Sequence, residues 1–382
     1  MRSRLRLLVG VVALLLVVPM TAAGAEDAED SRDRVVHPIA PRGMNAPQLF
    51  TFGSLALPRT TNGPNDLAIA SRGRRAVIVA DDYLQVVELH GSRMVLGGRT
   101  TAAFGEQVAL SKDGTTAYVL SDGDQLFVVN VAAKRPKVVR QLRRGAFAPS
   151  HAFDIAVTPN GRMLLVKHGF VLGGHGKGKG IATLSLVKPR KPKLVRRNRL
   201  AEWGGDVEVA RNGKLVVTTS RTVDDYVLIH GVRKKGRLKL AKRLRLPFAP
   251  DGIAITRDSR TAYVSSSMTE SPGRIARIDL RKRRLVKVVD PPLFEDGTDI
   301  AVAPDGRAVL ATMWGGASTG TPSLLALDAP GLSSGFVGAG EALYAPQAVE
   351  VSMAGSTRGR YYVLSYVGIE GGRPHLHGFT YH

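Results

Sequence analysis

Short apolar runs and tight turns alternate along this chain, and one arrangement of them returns seven times. In DIAVAPDGRAVLATM (299–313) a run of small and branched apolar residues leads into Pro-Asp-Gly, and a second apolar run follows. Near-copies are DLAIASRGRRAVIVA (66–80), QVALSKDGTTAYVLS (107–121), DIAVTPNGRMLLV (154–166), DVEVARNGKLVVTTS (206–220) and GIAITRDSRTAYVSS (252–266). A worn seventh is AVEVSMAGSTRGRYYVLSY (348–366). Runs this short, rich in Val, Ile, Leu and Tyr and bounded by Gly, Asp, Asn and Pro, predict strands. No segment sustains a helical period.

The repeat sets the architecture. Its turn position falls at Gly73, Gly114, Gly161, Gly213, Ser259, Gly306 and Gly355, so successive copies lie 41 to 52 residues apart. That period is the length of a four-stranded propeller blade. In the fifth copy GIAIT reads as strand a, TAYVSS as strand b, GRIARIDL as strand c and RLVKVV as strand d. The last copy supplies only three strands (348–352, 360–366 and 374–380), while an orphan run, LFTFGSLAL (49–57), precedes the first. Lending that run to blade 7 as its fourth strand would close the ring and remove an exposed sheet edge. The expectation is an all-β, seven-bladed β-propeller of four-stranded antiparallel blades; the worn first and last copies leave six or eight blades open.

Two stretches, PDGIAITRDSRTAYVSS and LSKDGTTAYVLSDGDQLFVVNV, resemble the repeat of the YVTN-type, surface-layer-like β-propellers. The likeness covers about residues 48–382. It implies the propeller fold. For function it implies only a range that includes binding modules, surface proteins and lactonase-like enzymes, because function resides in sites grafted on a fold.

Composition narrows the picture. The 382 residues are 44% apolar and contain no cysteine, which excludes disulfides and zinc–thiolate sites. The N-terminus runs from MRSRLR through LLVGVVALLLVVPM to TAAGA, the layout of a secretory signal cleaved after Ala25. Residues 1–25 are thus expected to be a signal peptide, 26–47 a flexible leader and 48–382 the propeller. The mature protein would be secreted, monomeric and free of a transmembrane anchor. Removal of Arg2, Arg4 and Arg6 lowers the formal net charge from +22 to +19. Such an excess favours anionic partners.

Sorting charges by loop gives a map with two poles. In a propeller the d-to-a and b-to-c loops surround one mouth of the central channel, and the a-to-b and c-to-d turns lie on the other face. Asp66, Asp154, Asp206 and Asp299 recur at the start of strand a. They would either accept backbone N–H groups in their own loops or form a carboxylate ring for a hard cation such as Ca²⁺. Glu208 and Glu350 replace the small residue in the middle of strand a that Ala68, Ala109, Ala156, Ala254 and Ala301 show elsewhere. His168, expected to overlook the mouth, could join Asp154 and Arg221 in an acid–base site. Trp203 and Trp314 fall on the same side, as packing residues or as a binding rim. His375 and His377 share a face of strand c and read as surface residues or a metal pair.

The opposite rim is basic. Its c-to-d turns carry Lys134 and Arg135; Lys188, Arg190 and Lys191; Arg233, Lys234 and Lys235; and Arg281, Lys282, Arg283 and Arg284. This crescent either keeps the protein soluble or adheres to an anionic cell-wall polymer or another polyanion. No motif for sequence-specific nucleic-acid reading is present. The leading expectation is a secreted binding module with a ligand or cation at the acidic mouth and the rim on anionic envelope polymers. The alternative is a lactonase- or lyase-type enzyme with a metal-assisted site assembled from Asp154, His168, Glu208 and Arg221. The chain lacks a nucleophile elbow, an H-E-x-x-H motif and a phosphate loop.

Overall fold

A computed structural model describes residues 49–381, apart from 61–62, 71–72, 123, 170–178, 200–204, 221–224, 268–272, 292–296, 314–323, 330, 338–345, 353–359 and 367–373. The segments expected to be signal and leader lie outside the described residues. Among the described residues no helix is long and apolar enough to cross a membrane.

Seven four-stranded antiparallel sheets make up the fold, each one blade. The inner strands, a, are Pro64–Ile69, Gln107–Leu110, His151–Val157, Val207–Val209, Pro250–Ile255, Gly297–Val302 and Pro346–Ser352 for blades 1 to 7. Each touches the inner strands of its two sequence neighbours, and that of blade 7 touches that of blade 1. The blades therefore form a ring. Six of them follow the chain from inner to outer strand. In the seventh the outermost strand is Leu49–Ala56, paired antiparallel with Pro374–Tyr381.

The repeated a-to-b turn explains the repeated sequence. At Gly73, Gly114, Gly161, Gly213 and Gly306 the N–H donates to the carbonyl three residues back, and φ lies between 61° and 73°. Glycine enters that left-handed region without steric cost, and Ser259 is held there at 62° in blade 5. The residue before it locks the turn. Asp113, Asn160, Asn212, Asp258 and Asp305 each accept the N–H two residues on, at 2.8–3.1 Å.

The core lies between blades rather than inside one. Strand b is enclosed on both faces, which is why it reads as an unbroken apolar run. Tyr118 and Tyr263, from the two AYV segments, are buried and reach the next blade: their hydroxyls donate to the carbonyls of Pro189 (3.0 Å) and Ala329 (2.8 Å). Burial pushes the Tyr263 phenol up to about 12. A short helical turn, Arg144–Phe147, seats Phe147 between blades 2 and 3.

The outer strands of blades 2 to 5 share a defect. Their pairing with strand c skips one residue, at Val139, Val195, Ala241 and Val286. Each is a β-bulge, and in blade 4 it lies where the apolar alternation breaks at Ala241-Lys242. Three of the exposed aliphatic residues, Val139, Val195 and Val286, are bulge residues, 40–47% accessible. They stand among exposed cations such as Lys137, Arg140, Lys193, Arg196, Lys239 and Lys287. Bulges and charges on an edge strand oppose pairing with another chain, so part of the basic excess serves the fold.

In the seventh blade Phe52 is the extra residue of a bulge between Thr51 and Gly53, opposite Gly378. Its ring lies edge-on to Tyr362, with centroids 5.8 Å apart, and occupies the space a Cβ on Gly378 would need. Gly378→Val is therefore expected to destabilise the protein by about 1–3 kcal/mol in urea denaturation. Its cost should shrink markedly in a Phe52→Ala background. Strictly additive losses would show that the ring does not lie on Gly378.

Candidate functional site

Among the described side chains, those of the inner strands of blades 1 to 6 wall a central channel of about 680 Å³. Three tiers of side chains follow from their common direction. The entrance at the strand starts has Asn65, Asp66, Asp154, Asp206 and Asp299. Midway stand Ala68, Ala109, Ala156, Ala254 and Ala301, with Glu208 taking the alanine's place in blade 4. The far end, where the a-to-b turns begin, has Lys112, Arg211 and Arg257.

The entrance aspartates are built into the wall. Asp66 accepts the N–H of Leu67 with one oxygen (2.7 Å) and that of Val108, in the next blade, with the other (2.7 Å). Asp154 repeats this with Ile155 (2.6 Å) and Val207 (2.5 Å). Asp299 accepts the N–H of Ile300 at 2.7 Å. The backbone N–H of Asp206 donates to Thr219 Oγ1 at 2.9 Å. Asp66, Asp154 and Asp299 therefore cap their own strands, and Asp66 and Asp154 also bind one blade to the next. Among the described residues no three His, Asp or Glu side chains are grouped closely enough to hold a metal ion. The calcium expectation thus gains no geometric support.

Electrostatics in the channel favour protons. Burial raises the Asp66 carboxyl well above its ordinary range; the N–H groups of Val108 and Leu67 oppose this, and the charges of Asp299 and Asp154 reinforce it. Glu208 is pushed up to about 8, first by burial and then by Asp154 and Asp299, with the N–H of Val209 pulling the other way. Both side chains face the channel yet are walled in by protein, so they are accessible but poorly hydrated. Glu208 is mostly a neutral acid at pH 7.

Of the residues expected to do acid–base chemistry, Asp154 and Glu208 line the channel and His168 does not. His168 is buried at the end of strand b, its Nδ1 3.0 Å from Ser150 Oγ, and it does not overlook the mouth. Strand pairing alternates faces, so His168 beside Ala152 points away from the wall that Asp154 occupies. Its neighbour Lys167 is likewise a buried strand residue, donating to the Thr219 carbonyl of blade 4. Arg221, Trp203 and Trp314 lie outside the described residues, as does the side chain of Glu350. The Glu350 backbone sits opposite Tyr362, level with Glu208 opposite Val217. His377 is buried rather than on the surface, stacked on His375 at 5.7 Å and pushed down to about 4 by burial and by His375.

All twelve cations of the c-to-d crescent, from Lys134 to Arg284, are exposed. The far-end trio Lys112, Arg211 and Arg257 escaped the sequence reading. Its one signal was alignment of the repeats: these residues stand where blades 3 and 6 have Pro159 and Pro304. Buried His230, in strand c of blade 4, escaped it as well. Burial and then Lys167 push its imidazole down to about 4.

No protein-family model matches this chain, and no curated protein is significantly similar to it.

Two substitutions separate wall from site. In Asp154→Asn a single amide oxygen must serve two N–H donors, so a loss of about 1–3 kcal/mol is expected in urea denaturation. Glu208 behaves differently. Folding raises its proton affinity, so the folded chain keeps a proton that the unfolded chain releases between pH 4.5 and about 8. Stability falls as pH rises across that window and levels off above it. Glu208→Gln should match the parent's Tm at pH 5 and exceed it by at least ~2 °C at pH 9. Equal Tm values at pH 9 would mean that Glu208 ionises as freely in the channel as in water.

Proposed function

We propose that this chain is an exported β-propeller binding module of the YVTN type, and that it works by two faces of opposite charge. Carboxylates gather at one end of the channel, and the opposite face presents twelve exposed Lys and Arg side chains on its c-to-d turns. That segregation carries the proposal. The basic face docks on an anionic polymer of the cell envelope, and the carboxylate end takes a cationic group of a ligand. Export rests on the N-terminal signal pattern, and the YVTN assignment rests on the repeat.

A channel whose acids hold protons discriminates by hydration. A cation entering it displaces the proton of Glu208, so its affinity should rise with pH up to about 8. The enzymatic alternative lacks comparable support. His168 faces Ser150, and both oxygens of Asp154 are engaged by backbone donors.

The docking half is tested with long-chain polyphosphate as the probe polyanion. Replacing Lys188, Arg190 and Lys191 together with Arg281, Lys282 and Arg283 by Glu should weaken binding at least tenfold and flatten its dependence on NaCl, because fewer counterions are released. Unchanged affinity and slope would remove the basic face from the function.

A further inference from the structure

The far end of the channel holds an arrangement that neither the rim nor the carboxylate entrance explains. Lys112, Arg211 and Arg257 come from the same turn position in blades 2, 4 and 5 and line one cavity. Cations brought together around a cavity repel one another, and nothing in the turn requires them: blades 3 and 6 make the same turn with Pro159 and Pro304. Asp113 binds Ser111 and Thr115, Asp258 binds Thr256 and Arg260, and Asp305 binds the N–H of Arg307. Asp113 and Asp258 are thus folded back on their own turns. The entrance carboxylates are remote as well. Five residues of extended chain separate Asp206 from Arg211, a span of ~17 Å. That is about twice the screening length at physiological salt.

We propose that Lys112, Arg211 and Arg257 form a binding site for a compact phosphoryl polyanion, seated in the axial mouth on the basic face. Two guanidinium groups supply planar, paired donors that match phosphate oxygens, and the ammonium adds a point charge. Three cations in an arc suit a group of two or three linked phosphates better than a single monoanion. The ligand would be either a free oligophosphate or the phosphorylated end of a polymer lying on the face. The site goes beyond the rim reading, which needs no axial contact and would grip a polymer anywhere along its length.

Inorganic tripolyphosphate is the probe, measured by calorimetry on the folded protein at 50 and 300 mM NaCl. Binding of one molecule per chain is expected, weaker at the higher salt. It should raise the Tm by mass action. The Lys112→Gln, Arg211→Gln, Arg257→Gln triple variant should lose at least tenfold in affinity. Its own Tm should be equal or higher, because like charges have been removed. The rim variant with Glu at 188, 190, 191 and 281–283 should bind tripolyphosphate within threefold of the parent. Retention of binding by the triple variant overturns the axial site, as does an equal loss in the rim variant or a stoichiometry of several per chain. Rim-dependent binding of long-chain polyphosphate without any tripolyphosphate binding would sink the axial site and leave the docking face intact. Failure of both would sink the two together. Competition separates the ligand sources. If tripolyphosphate displaces long-chain polyphosphate from the parent, the pocket grips a polymer end; if both bind at once, it serves a free oligophosphate.

Discussion

A carboxylate that accepts two backbone N–H groups, one from its own strand and one from the next blade, is the contact on which this molecule turns. A blade has no core of its own; its apolar side chains are buried only against neighbouring blades. The neighbours must therefore be held in register at the axis, where the inner strands are short and the alanines leave little to pack. Asp66 and Asp154 do this with geometry rather than bulk. The hydrogen bonds fix how far one inner strand is advanced relative to the next, and the interblade packing of Tyr118 and Tyr263 then follows at larger radius.

The same contact shapes the chemistry of the channel. Carboxylates anchored to the wall cannot move apart, so their mutual repulsion and poor hydration are relieved by protons. Glu208 stands in the alanine tier and shares that burden with Asp66. At the other end the turn acids Asp113 and Asp258 accept hydrogen bonds within their own turns, beside the cations Lys112 and Arg257. Turn chemistry at one end and strand capping at the other thus make a graded channel from a repeat whose individual copies carry both signs.

The ring of blades was legible because the repeat is a turn with strict requirements. A residue in left-handed φ after Asp or Asn leaves a mark in five of the seven copies, and Ser259 keeps the position even where glycine is lost. The aspartates were legible as a repeated position, but not as links between blades, since one strand's sequence says nothing about its neighbour's N–H groups. Burial of His168, Lys167 and His377 was hidden for a related reason. Alternation separates the two faces of a strand, and in a blade both faces are buried, so a polar residue on either can be interior. The bulges at Val139, Val195 and Val286 were invisible because an extra residue in an outer strand leaves an apolar run looking continuous.

The outer strand of the seventh blade has a mechanical consequence. Leu49 lies opposite Tyr381 and Ala56 opposite His375, so the start of one strand and the end of the other meet at the same corner. Tension applied between those two points would load the pair one rung at a time, as a zipper is opened, rather than shearing all of its hydrogen bonds together. A surface-tethered molecule pulled in this way would yield first at that blade and at low force, with the other six still folded.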